Sequence, residues 1–131
     1  MEIQSRPEAT TLILTLSGRM TMLNCERARD AFLKSVEQEW RRIGIDLSGL
    51  KYMDSAGLAV LVEIVQLARA YGARVCFFSV PPPVYAIIEV SNLHQLLPLA
   101  RNETAAFQEL TVPASSLDPL EGPQDGCGPE D

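Results

Sequence analysis

Basic charge is scarce in this sequence. Eleven lysines and arginines stand against 17 acidic residues, for a net charge of -6 over 131 residues. Five of the acids, and no base, fall in 111–131, "TVPASSLDPLEGPQDGCGPED". Without that segment the chain is near neutral, with no basic stripe to meet a polyanion, so nucleic acid is not an expected direct partner. Histidine is rarer still: His94 stands alone, between apolar residues, and reads as a half-buried surface side chain. The three cysteines, Cys25, Cys76 and Cys127, are far apart and odd in number, with no CxxC, which argues against a disulfide framework or a metal site. Cys76 in "RVCFFSV" reads as a small buried hydrophobe. No stretch approaches the ~20 apolar residues of a membrane span, so no direct membrane insertion is expected. "MEIQSRPEAT" lacks the basic-then-apolar order of a secretory signal, and the cytoplasm is the expected compartment.

Phosphate-binding and catalytic motifs are missing as well. There is no GxxxxGK[ST] loop, no GxGxxG after a strand and no GxSxG elbow. Glu37 and Glu39 adjoin Trp40, Arg41 and Arg42 and read as a solvated helix end. Nothing here predicts an enzyme or a bound cofactor.

What is present is strand-helix alternation. "EIQSRP" (2–7) and "TTLILTLSG" (10–18) read as a strand pair. "LNCERARDAFLKSVEQEW" (23–40) is helical, with Leu23, Ala28, Ala31, Phe32 and Val36 on one face and Asn24 as a candidate cap. "RIGIDLSG" (42–49) is a buried strand. A helix from Ser55 to Tyr71 follows, with Leu58, Leu61, Val62, Val65 and Ala68 on one face and Gly72 as its stop. "ARVCFFSV" (73–80) is a strand that ends at three prolines, which cannot feed a sheet ladder but suit a helix's first turn, here 83–91. A short strand within 92–100 and a helix at 104–111 complete the series. The order β-β-α-β-α-β-α-β-α predicts a single α/β domain over 1–111 with a mixed, mostly parallel sheet. The acidic, Pro/Gly-rich segment 112–131 is expected to be a disordered tail.

The stretch "MDSAGL" (53–58) stands where strand gives way to helix. A helix start carries unpaired N–H groups and partial positive charge, so Asp54 or Ser55 can serve there as a cap. The same place can present a hydroxyl for modification. A phosphate on Ser55 would bring about -2 charge, tolerated by the helix start and opposed by Asp54. It would alter a docking surface without requiring the domain to refold.

Residues 45–99, with "DLSG", "MDSAGL", the apolar helix, Gly72, the proline-led helix and "SNLHQLLPL", resemble the core of a STAS domain, the fold of bacterial anti-sigma factor antagonists. "LILTLSGRM" (12–20) is similar to the family's second strand, and the resemblance spans about 8–110. It implies an antagonist that binds an anti-sigma factor, itself a serine protein kinase, and so frees a sigma factor. Phosphorylation at the position of Ser55 would break that complex, and a phosphatase would reverse it. Asp54, Ser55, Ala56, Gly57 and Leu58 would form the docking turn, and ATP would be held by the partner. One departure is Thr21 in "GRMT", where similar proteins often carry an acid that contributes to the partner surface. The same motif also resembles the STAS subunit of a phospholipid-trafficking ABC transporter, which implies an ABC ATPase subunit as the alternative partner.

Overall fold

The computed structural model describes residues 1–111; the expected tail, 112–131, lies outside the described residues. Nine elements follow in the predicted order. Strands β1 (Glu2–Glu8) and β2 (Thr11–Met20) form an antiparallel pair, and helix α1 spans Glu26–Glu37. Strand β3 (Arg42–Met53), helix α2 (Ser55–Ala70), strand β4 (Arg74–Phe78) and helix α3 (Pro82–Val90) come next. The two-residue strand β5 (Leu99–Ala100) and helix α4 (Glu103–Thr111) close the fold. The sheet order is β1-β2-β3-β4-β5, with every pair after the first parallel. A parallel neighbour requires a crossover, and α1, α2 and α3 supply the three.

Strand side chains alternate between two cores. Leu12, Leu14 and Leu16 of β2 and Ile43, Ile45 and Leu47 of β3 pack with Phe32 of α1, Leu61 and Ile64 of α2 and Ile88 of α3. On the opposite face Ile13, Cys76 and Phe78 pack with Ala106 and Leu110 of α4. Apolar burial on both faces explains why β4 reads as an unbroken hydrophobic run rather than an alternating one.

The structure moves several expected boundaries. α1 begins at Glu26, not at 23, and Cys25 stands at its N-cap position with no side-chain capping bond. Asn24 does not cap the helix: its Oδ1 accepts from Thr21 N at 2.9 Å and its Nδ2 donates to Arg19 O at 2.9 Å. Leu23, expected on the buried face, is 92% exposed. β3 continues four residues beyond Gly49 to Met53. Gly49 makes that extension fit, because a Cβ there would stand 2.8 Å from Ser17 Cβ on β2. α2 ends at Ala70, one residue before the expected Tyr71, and Gly72 follows as the expected stop, in the left-handed region (φ 69°). No helix among the described residues is long and apolar enough to cross a membrane.

Candidate functional site

The carboxyl ends of β2 and β3 finish together. Met20 and Met53 are register partners and both are buried. Beyond them the chain leaves in two directions, into the 21–25 turn that leads to α1 and into Asp54, which starts α2. Asp54 N donates to Met20 O at 3.1 Å, so the junction is tied at the backbone.

Asp54 is the N-cap of α2, with extended backbone (φ -98°, ψ -176°). Its Oδ1 accepts from Gly57 N at 2.9 Å, which satisfies one of the helix's orphan donors. Its Oδ2 accepts from Met22 N at 3.0 Å, across the gap between the two chain exits. Each carboxylate oxygen therefore holds a backbone N–H, one on each side of the junction. Of the two candidate caps in the sequence, Asp54 makes the capping bond.

Ser55 is the first residue of α2 and is exposed. Ala56 is half-buried beside it, while Gly57 and Leu58 are buried. Those two position the turn rather than offer surface. A Cβ at Gly57 would lie 2.7 Å from Met53 Cγ and 3.2 Å from Met20 O, so only glycine lets α2 start this close to the strand ends. Leu58 N donates to Asp54 O at 3.1 Å, and the Leu58 side chain enters the main core.

Thr21 is half-buried and turned into its own loop, where Oγ1 accepts from Leu23 N at 3.2 Å and its carbonyl accepts from Asn24 N and Cys25 N. Sequence reasoning missed the neighbours, Met22 and Leu23, which are 72% and 92% exposed. The hydrophobicity of Leu23 pointed the wrong way, toward a core. Arg19 lies over the Tyr52 ring, 4.4 Å from its centroid, just before the strand ends. Burial, and secondly the Asp54 carboxylate, push the Cys25 thiol above its ordinary range.

Two concave regions, of about 500 and 440 Å3, are lined by Ala9, Thr10 and Gln38–Arg42 and by parts of β1, β2 and α1; neither includes Asp54 or Ser55. Ser55 stands exposed at the start of α2, outside both of these concave regions.

The model of the STAS domain matches residues 1–106. The chain belongs to the STAS domain family. Among curated relatives, the anti-sigma F factor antagonist of Paenibacillus polymyxa is 27% identical over 113 residues, 86% of this chain and 97% of that protein. The crystal structure of an anti-sigma factor antagonist from Mycobacterium paratuberculosis superposes with a TM-score of 0.74 at 17% identity, covering 83% of this STAS domain chain and 92% of the other. The Bacillus cell fate determinant SpoIIAA in its phosphorylated form gives a TM-score of 0.61 at 19% identity, over 82% and 99% of the two chains. The predicted five-stranded mixed sheet with helices packed on it is thus the STAS fold.

Proposed function

We propose that this STAS domain is an anti-sigma factor antagonist, a regulatory binding protein rather than an enzyme, switched by phosphorylation of Ser55. The unmodified protein docks a serine kinase that is also an anti-sigma factor, at the carboxyl ends of β2 and β3, and so releases a sigma factor. The observation that carries this reading is the exposed Ser55 at the first position of α2, beside a cap that leaves its hydroxyl unengaged. The names of the relatives support it: one is an anti-sigma F factor antagonist, and another is described in a phosphorylated form.

The chemistry is a phosphoryl transfer. The Ser55 Oγ forms a bond to the γ-phosphorus of ATP held by the kinase, the bond from that phosphorus to the β,γ-bridging oxygen breaks, and ADP leaves. The hydroxyl proton passes to a base on the kinase. The product carries about two negative charges at a helix start whose first N–H groups have no intrahelical acceptor. Asp54 next door already uses both oxygens on N–H groups, and its charge opposes the dianion at close range. Docking would then require desolvating the phosphate against a surface shaped for a neutral hydroxyl. A phosphatase that hydrolyses the ester restores the binding form.

A parallel affinity capture with wild type, Ser55→Ala and Ser55→Asp tests this, followed by incubation of the captured kinase with ATP and mapping of the phosphate by mass spectrometry. Wild type and Ser55→Ala should retain the kinase, Ser55→Asp should lose it, and the phosphate should map to Ser55. Equal retention of wild type and Ser55→Asp defeats the switch. Retention of an ABC ATPase subunit in place of a kinase assigns the chain to the transporter role.

A further inference from the structure

We infer that Met22 and Leu23 form a preorganised apolar prong that enters a non-polar pocket on the same partner protein that reads Ser55. This rests on the reading of the α2 start as the docking corner.

Apart from the exposed Ser55, the polar side chains of Thr21, Asn24 and Asp54 at the corner are turned inward. Thr21 Oγ1 accepts from Leu23 N, Asn24 Oδ1 accepts from Thr21 N while its Nδ2 donates to Arg19 O, and Asp54 divides its two oxygens between Met22 N and Gly57 N. Two backbone bonds from Asn24 N and Cys25 N to Thr21 O close the turn. Six of these hydrogen bonds fix a turn whose outward groups are the side chains of Met22 and Leu23, at 72% and 92% exposure. Scattered exposed apolar residues are ordinary on a soluble protein. Two adjacent ones on a rigid turn are different, because little conformational freedom remains to be lost on binding.

The occupant follows from continuity and charge. The Met22 N–H is bonded to Asp54, the residue next to Ser55, so a protein surface that covers the hydroxyl also covers the prong. The Asp54 carboxylate is satisfied internally, Thr21 brings no charge, and the exposed Glu26 just past the turn stands 3.7 Å from Arg29. The turn itself offers a basic patch no free carboxylate, whereas a pocket for methionine and leucine side chains would gain from their burial. Met22 serves the cap only through its backbone N–H, so its side chain is free for this second role.

The test uses the protein that the wild-type chain retains in the capture experiment, expressed and purified alone, in calorimetric titration against the full chain. Met22→Ser and Leu23→Ser keep the backbone bonds and should leave the unfolding midpoint unchanged. Each should weaken binding by roughly ten- to a hundredfold, as expected for removing one buried aliphatic side chain. Leu23→Met should restore most of the affinity, and raising the salt tenfold should change the wild-type Kd by less than about threefold, as an apolar contact requires. Unchanged affinity in Met22→Ser/Leu23→Ser together, with Ser55→Asp still disruptive, overturns the prong and leaves the Ser55 switch standing. Loss of affinity in the prong variants with no effect of Ser55→Asp keeps the prong and removes the switch. If sedimentation shows the wild type alone to be a dimer that Leu23→Ser dissociates, the prong serves a second copy and the inference fails.

Discussion

Met22 and Asp54 are joined by a single hydrogen bond, backbone N–H to Oδ2 at 3.0 Å, across 32 positions of sequence. The other oxygen of the same carboxylate caps α2 at Gly57 N. One side chain therefore sets both the helix that presents Ser55 and the turn that presents Met22 and Leu23. Register between the two halves of this corner is set by Asp54 within the chain itself.

Asp54→Ala should show this as two separable losses. A missing N-cap costs about 1 kcal/mol, and a charge-assisted bond to a backbone N–H adds a comparable or larger amount, so about 2 kcal/mol is expected in urea unfolding. Asp54→Asn retains one acceptor oxygen and should recover part of it. Amide exchange at Met22 should speed up in both variants. An Asp54→Ala midpoint within experimental scatter of wild type, with Met22 exchange unaltered, would contradict the double role.

Gly57 offers a test in which local propensity and packing disagree. Alanine is the better helix former by about 1 kcal/mol. The added Cβ, however, would sit 2.7 Å from Met53 Cγ and 3.2 Å from the Met20 carbonyl, and the carbonyl belongs to the strand-end backbone. Gly57→Ala should destabilise by about 1–3 kcal/mol, the usual range for overpacking. Ala59→Gly, at an exposed position on the same helix, is the control that shows propensity alone. A stabilised Gly57→Ala variant would mean that α2 can slide away from the strand ends at no cost.

Cys76 links stability to pH. Burial first, and Glu109 second, push its thiol from 9.0 to about 12. The folded protein thus holds the neutral thiol at a pH where the unfolded chain ionises. Its contribution is complete below pH 9 and is lost as pH rises from 9 toward 12. In reducing buffer the slope from this group approaches about 1.4 kcal/mol per pH unit. Urea midpoints should fall between pH 8.5 and 10.5 in wild type and fall less steeply in Cys76→Ala, even though that variant starts from a lower value. Parallel slopes would show that the thiolate is accommodated in the fold. The same burial predicts that Cys25 and Cys76 resist alkylation at neutral pH until denaturant is added.

Element order was legible because periodicity and punctuation agree in this chain. β-branched and apolar runs end at Gly18, Gly72 and the prolines from Pro81, and each marks a true boundary to within a few residues. The start of α1 was not legible. Leu23 shares spacing with Ala31 and Asn24 is a good capping residue, but the Asn24 side chain is taken up by the Thr21 turn, a local bond that competes with capping. The tail of β3 was hidden for another reason: in "LKYM" two exposed residues, Lys51 and Tyr52, stand between buried Leu50 and Met53, because the register with β2 shifts there and breaks the period of two that marks a strand. At the site, the sequence singled out Asp54 and Ser55 correctly as a helix start. It could not show that Asp54 reaches back to Met22, because no local spacing encodes a contact between two crossover connections.

The switch is expected to act at the surface and not through the fold, and Ser55→Asp without any partner decides this. A carboxylate at the first position of a helix gains about 0.3–1 kcal/mol from the exposed N–H groups and the macrodipole. Repulsion from the neighbouring Asp54 opposes it by a similar amount at an exposed site. Net stability should therefore stay within about 0.5 kcal/mol of wild type, as for surface substitutions generally. Amide chemical-shift changes should be confined to the 21–25 turn and the first turn of α2, with the β2–β3 ladder and the α4 face undisturbed. A large drop in midpoint, or shifts that spread along α2 to its Gly72 end, would instead make the modification a conformational trigger, and the loss of partner binding would then follow from unfolding of the corner rather than from charge placed upon it.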